Sequence, residues 1–278
     1  VPLPVFKVTG SYFEIGKQVG KHFRARIHQA FQESSLIHQR LAWDQKDPSR
    51  LNTAVKMTEL KFPQYLQEMR GIAQGADLPV RKILVVNFMH LPAVPDCSTL
   101  LYKTQQARMM IHNEDHEWGL AVNSYLLNVT YPNGLRILAH CYPGVIPGLS
   151  FAFTSHGIAM SCNYVPEPAA KIGIPRTIVG REVLEATNLT EVRDRILEIH
   201  PRSGGVNFNI GKTQSSQLLN IELTGTDHAI TPITTAFFHA NHYSSKKFHH
   251  LPVPDDFAIR SPARLDEGNK LLAKLKAA

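Results

Sequence analysis

Two periodicities divide the chain near residue 96. Before that point Tyr12, Ile15, Val19, Phe23, Ile27 and Phe31 recur at steps of three and four, with Lys, Arg and Gln among the residues between them. That spacing predicts one apolar stripe along a helix and a charged opposite face. A second stripe, Tyr65, Met69, Ile72 and Ala73, follows Pro63 and ends near Gly75. Proline suits a first helical turn, where its missing N–H has no intrahelical partner. An apolar run over 83–89 follows Leu78-Pro79, a plausible third helix start. Leu91-Pro92-Ala93-Val94-Pro95 then breaks all regularity.

After residue 96 the pattern shortens. Segments 120–130, 135–140, 151–154 and 158–162 are rich in β-branched and aromatic residues. Pro132-Asn133-Gly134, Pro143-Gly144, Pro147-Gly148 and His156-Gly157 punctuate them as turns. Two helices are predicted at 177–187 and 190–199, the second with Thr190 as its cap and Glu191 behind it. Strands resume at 206–210, 217–223 and 236–239, and the tail 264–276 is again helical. Consecutive hairpins, rather than strand–helix alternation, predict an α+β domain of antiparallel sheets with helices outside, not a doubly wound parallel fold.

Composition constrains the class of protein. Hydrophobic residues make up 43% of the 278 and charged residues 19%, which suits one large globular domain or two small ones and not a disordered chain. No run of about 18 apolar residues could span a membrane. With no leader pattern visible, a cytoplasmic protein is expected. The net charge is +7, but its basic residues are scattered and lack any nucleic-acid motif, so they read as a solvated surface, with room for an anionic substrate. Cys97, Cys141 and Cys162 are too few and too scattered for a disulfide framework or a CxxC metal site.

Candidate chemistry lies where the two halves meet. Cys97 in Asp96-Cys97-Ser98-Thr99-Leu100 begins the strand-rich half, beside hydroxyls that could donate to a thiolate. A lone thiol is ordinarily a core residue. As a nucleophile it would need a base and an oxyanion donor. The run His112-Asn113-Glu114-Asp115-His116-Glu117 is acidic and histidine-rich. On a strand His112, Glu114 and His116 share one face and Asp115 the other, so a polar turn competes with a metal site using His112 and His116. Asn163 and Asn241 both stand at strand ends; Asn241 could be a turn former or an oxyanion donor.

Together these residues resemble the penicillin acyltransferase family of N-terminal nucleophile (Ntn) hydrolases, the C45 peptidases. The resemblance begins at Gly10-Ser11-Tyr12-Phe13-Glu14-Ile15-Gly16 with Gly20. It continues through Glu68-Met69-Arg70-Gly71-Ile72-Ala73-Gln74-Gly75-Ala76, Asn87 and Cys97-Ser98-Thr99. Asp115 stands eighteen residues past the cysteine, and Gly157-Ile158-Ala159-Met160, Asn163 and His239-Ala240-Asn241-His242 complete it. What the resemblance implies is a four-layer αββα sandwich whose precursor cuts itself before Cys97. The products, 1–96 and 97–278, would stay together as a heterodimer. Cys97 would be both nucleophile and, through its freed α-amine, base. Asp115 would position the amine and thiol, and Asn241 with N–H groups near Asn163 would hold the oxyanion. Thr99 and Tyr164 would contact substrate, and loops 142–149 and 164–175 would shape its pockets.

The implied activity is cleavage or formation of a non-peptide amide through an acyl-Cys97 thioester, with no cofactor, though a coenzyme A thioester could serve as acyl donor. The partner is a small-molecule amide or acyl substrate. Two departures stand out: Asp96 replaces the Gly that commonly precedes the nucleophile, and no Arg flanks Asp115. They motivate the alternative of a non-catalytic binding member of the same fold.

Overall fold

A computed structural model describes residues 2–89, 96–167 and 171–277, apart from the side chains of 256, 257 and 275–277. The Pro-rich break at 91–95 lies outside the described residues. The chain opens with a strand, β1 (Val5–Thr9), where the sequence pattern predicts only helix. Six helices follow: α1 (Tyr12–His22), α2 (Arg24–Glu33), α3 (Ser35–Lys46), α4 (Pro48–Lys61), α5 (Pro63–Ala76) and α6 (Val80–Phe88). The long first stripe is divided because Phe23 leaves helical geometry, and its ring stacks on Tyr125 at 3.8 Å.

Helices α1 and α5 cross almost backbone to backbone. A Cβ on Gly16 would lie 1.9 Å from the Glu68 carbonyl oxygen, and one on Gly20 would lie 2.2 Å from that of Ile72. Reciprocally, Gly71 meets the Phe13 carbonyl and Gly75 the Lys17 carbonyl, each at 2.1 Å. Both pairs are spaced by four, so each helix presents its two glycines on one face. Two of the motifs that carry the family resemblance are thus explained by packing.

The remaining elements are β2 (Cys97–Lys103), β3 (Arg108–Glu114), α7 (Trp118–Ala121), β4 (Tyr125–Thr130), β5 (Arg136–Cys141), β6 (Phe151–Thr154), β7 (Ile158–Val165) and β8 (Ile174–Pro175). Then come α8 (Arg176–Glu185), α9 (Leu189–Glu198), β9 (Arg202–Ser203), β10 (Gly205–Lys212), β11 (Leu218–Leu223), β12 (His228–Ile233), β13 (Ala236–His239) and α10 (Asp255–Ala277). The segment expected as strand over 120–130 divides into α7 and β4. Asn188, not Thr190, caps α9, its side chain accepting the Glu191 N–H at 2.9 Å. The unanticipated β12 carries Pro232, which an outermost strand tolerates.

Eight strands form one sheet in the order β1-β4-β5-β6-β7-β10-β11-β12, antiparallel except for the β1–β4 pair. A second sheet, β13-β2-β3, is antiparallel throughout, and β8 and β9 form a short parallel pair. This is the mixed α+β architecture expected. Alternation along β10 separates two environments. Val206, Phe208 and Ile210 enter the main core with the helices, while Asn207 and Asn209 face the small sheet. There Thr99 of β2 donates to Asn163 of β7 at 2.7 Å. On the small sheet's other side, Gly268 of α10 lies over the Phe238 ring. Among the described residues no helix is long and apolar enough to cross a membrane.

Candidate active site

Cys97 is the first residue of β2 and is buried. Strand pairing brings its neighbours from distant sequence. In the β2–β3 ladder Cys97 faces Glu114, and the β13–β2 register, His239 opposite Thr99, carries on to set Asn241 beside Cys97. The Cys97 N–H donates to Asn241 Oδ1 at 2.9 Å, while Asn241 Nδ2 lies 3.1 Å from the sulfur and donates to the Tyr164 carbonyl at 2.8 Å. One carboxamide therefore touches both the nitrogen and the sulfur of the same cysteine.

Burial and the Glu114 charge push the Cys97 thiol up to about 12; bonds from Asn241 and the Tyr164 backbone N–H only partly offset them. In the continuous chain the sulfur is thus a neutral thiol near pH 7. Burial also raises Glu114, but hydrogen bonds from His112 at 2.9 Å and Ser150 at 2.5 Å outweigh it and hold the carboxyl below its usual range.

Asp96 precedes Cys97 with its carboxylate clamped. Arg260 reaches one oxygen at 2.8 Å and Arg264 the other at 3.0 Å. Arg264 also donates to the Cys97 carbonyl at 2.9 Å and to Asn241 Oδ1 at 2.7 Å. The Asp96 carbonyl accepts the Asp115 backbone N–H at 3.0 Å. Ser261, from the same helix as both arginines, accepts the Asn241 N–H at 2.7 Å.

The expected residues are therefore only partly brought together. Cys97, Asn241, Asp96 and Tyr164 meet. The Asp115 carboxylate does not join them: Asp115 is exposed and accepts from Asn113 at 2.7 Å. Alternation gives the inward position to Glu114, and Asp115 reaches the Asp96 carbonyl through its main chain. Thr99 is not in the cavity wall. It is buried between the sheets, bonded to Asn163, Ser161 and His112. Asn163 stands behind Thr99 and accepts from Asn209 at 3.1 Å, one residue short of the Tyr164 N–H that meets the sulfur.

His112 commits one ring nitrogen to Thr99 and the other to Glu114, whereas His116 packs on Tyr142 at 4.5 Å. They are not a ligand pair, and no cluster of three His, Cys, Asp or Glu residues able to hold a metal occurs among the described residues. Glu114 was within reach of the sequence, one residue from Asp115. Arg260 and Arg264 carried no local signal, because α10 is brought here only by its packing on β13.

A cavity opens at the thiol. Its walls include Val145 and Leu149 from loop 142–149, with Arg40 of α3, Arg176 of α8, Glu114 and His116. Of loop 164–175, Tyr164 contributes and 168–170 lie outside the described residues. Burial lowers His116 to about 4 and likewise His242, also to about 4. Both remain neutral in the fold while the unfolded chain takes up protons below about 6.5. The unfolded state then binds more protons between about 6.5 and 4, so stability falls as pH drops through that window. We expect thermal unfolding curves to show this fall, and His116→Gln to flatten it. An unchanged slope in that variant would contradict the assignment.

Residues 102–277, well over half of the chain, match the family described as acyl-coenzyme A:6-aminopenicillanic acid acyl-transferase. Among curated proteins the chain is similar to the beta-alanyl-dopamine/carcinine hydrolase of Drosophila melanogaster, 24% identical over 68% of this chain and 56% of that protein. It is also similar to the acyl-coenzyme A:6-aminopenicillanic-acid-acyltransferase 40 kDa form of Emericella nidulans, 22% identical over 84% of this chain and 67% of that protein. The chain thus spans little more than half the length of the first and two thirds of the second. One relative is named for hydrolysis and the other for acyl transfer, and the family match begins five residues after Cys97 and takes in Asn241 and Arg264. The chain belongs to the acyl-coenzyme A:6-aminopenicillanic acid acyl-transferase family.

Proposed function

We propose that the chain is a self-processing cysteine amidohydrolase or acyltransferase in which Cys97 serves first as the agent of its own cleavage and then as the catalytic nucleophile. The observation that carries this reading is the single Asn241 carboxamide engaging both Cys97 nitrogen and sulfur. An amino-terminal nucleophile needs those two atoms held together, because its own nitrogen is the base. The helices on one face of the large sheet, the small sheet on the other and α10 beyond it suit the four-layer αββα sandwich of such enzymes.

In the cleavage step the sulfur attacks the Asp96 carbonyl carbon. The peptide C–N bond breaks, the Cys97 nitrogen takes the proton, and a thioester joins Asp96 to the sulfur. Water then hydrolyses the thioester, leaving a free thiol and α-amine at Cys97. The Asp115 N–H on the carbonyl oxygen is a donor for the oxyanion, and the Arg260–Arg264 clamp holds the peptide in place. Asp96 is thus the handle the arginines grip, where the family commonly has Gly.

In turnover the freed amine, ordinarily with a pKa near 8, takes the thiol proton as the sulfur attacks an amide or thioester carbonyl. Asn241 Nδ2 and the Tyr164 N–H are the donors nearest the sulfur. Water completes hydrolysis and an amine completes transfer. A small amide is the substrate in this reading, with a coenzyme A thioester as the alternative acyl donor, and the mechanism calls on no cofactor.

Intact mass of the purified protein tests the reading: fragments joining at 96/97 support it. An uncut chain that hydrolyses no amide would defeat it in favour of a binding protein. Asn241→Ala is expected to lower kcat by roughly 10²- to 10³-fold, the effect of losing an oxyanion donor. Steady-state kinetics on cleaved protein would check this, and a kcat within threefold of the parent would remove Asn241 from the mechanism.

A further inference from the structure

Arg40 and Arg176 face the thiol cavity from opposite helices, and each is only 8% exposed. Arg40 Nε and the Nε and Nη1 of Arg176 have no hydrogen-bond partner among the described residues, and neither side chain forms an ion pair there. A buried guanidinium without an acceptor is costly, so a pair facing one cavity calls for a counter-charge. The Tyr164 ring stacks under Arg176 at 4.3 Å but leaves its charge uncancelled. Glu114 lines the same cavity, yet its carboxylate is taken by His112 and Ser150. The arginines thus outnumber the one carboxylate in the cavity wall, which is already engaged, for His116 is neutral and burial keeps the Tyr142 and Tyr164 phenols protonated.

We propose that Arg40 and Arg176 form a subsite for one substrate carboxylate, so that the amide presented to Cys97 carries a carboxylate on the part filling this cavity. The consequence for substrate rests on the function proposed above; the subsite itself does not. A carboxylate supplies the missing acceptor and counter-charge, matches the planar fork of a guanidinium and demands less desolvation than a dianion. Apolar walls such as Val145 and Leu149 receive the carbon chain behind it.

Thermal unfolding of the wild-type protein at low ionic strength, with butyrate or its neutral analogue butyramide, provides the test. Butyrate is expected to raise Tm by a few degrees at concentrations well above its Kd, and butyramide to leave it unchanged. Arg40→Gln and Arg176→Gln should abolish the butyrate effect; if either fails to fold, the wild-type contrast still decides. A second measurement compares alkylation of Cys97 by iodoacetate and iodoacetamide, located by peptide mapping. The acid-to-amide rate ratio should exceed that of free cysteine by about tenfold, and fall back in the arginine variants. Equal effects of butyrate and butyramide, or inorganic phosphate protecting as well as butyrate, would overturn the subsite. Protection by butyrate in a protein that neither cleaves itself nor turns over amides would defeat the catalytic reading alone.

Discussion

Cys97→Ala is expected to yield one uncut polypeptide with no measurable amide turnover, a loss of at least about 10³-fold. The reason is geometric. Cys97 supplies three parts of the proposed chemistry: the sulfur that attacks, the nitrogen that leaves during cleavage, and the same nitrogen as base thereafter. The alanine variant keeps the Asn241 Oδ1 acceptor and the Arg264 bond to the residue 97 carbonyl, since both address the main chain. The fold should therefore survive, and Tm should move by only a few degrees. Two measurements decide, intact mass and turnover on a carboxylate-bearing amide. A cleaved Cys97→Ala protein would remove the thiol from processing, and an active one would remove it from catalysis.

Gly20→Ala should have a large effect on stability, although it adds one methyl group far from Cys97 in sequence. The new Cβ would stand 2.2 Å from the Ile72 carbonyl oxygen and 2.8 Å from the Ala76 nitrogen, both main-chain atoms of α5. No rotamer change relieves a clash with backbone, so α1 and α5 must separate. Separation also loosens contacts around Gly16, Gly71 and Gly75, which rely on the same approach. Overpacking of this kind costs about 3 kcal/mol or more. For a chain of this size that is a fall in Tm on the order of 6–12 °C, or failure to fold. Thermal unfolding checks it, and a Tm within 2 °C of wild type, under the roughly 3 kcal/mol expectation, would show that the helices do not meet through their glycines.

Much of the fold was readable because its signals are local. The stripe through Tyr12, Val19 and Phe31, the proline before Tyr65 and the turn at Pro132-Asn133-Gly134 act over a few residues, and the helices and hairpins they predict are present. β1 has no such local signal, because five residues at a sheet edge, with Val5 exposed, carry little periodicity. Thr190 and Asn188, two residues apart, offer equivalent capping chemistry, and the backbone places Asn188 at the helix start.

The candidate site divides along the same line. Sequence by itself determined that Cys97 stands alone at the junction of the two halves and that Asn241 ends a strand. Only the tertiary structure decided that Glu114 rather than Asp115 faces the thiol, since strand register admits one of two adjacent side chains and excludes the other. It alone brought Arg260 and Arg264 to Asp96, and Arg40 and Arg176 to one cavity. Periodicity acts over a turn or a strand pair, whereas these charges meet only after helices and sheets separated by more than a hundred residues have packed together.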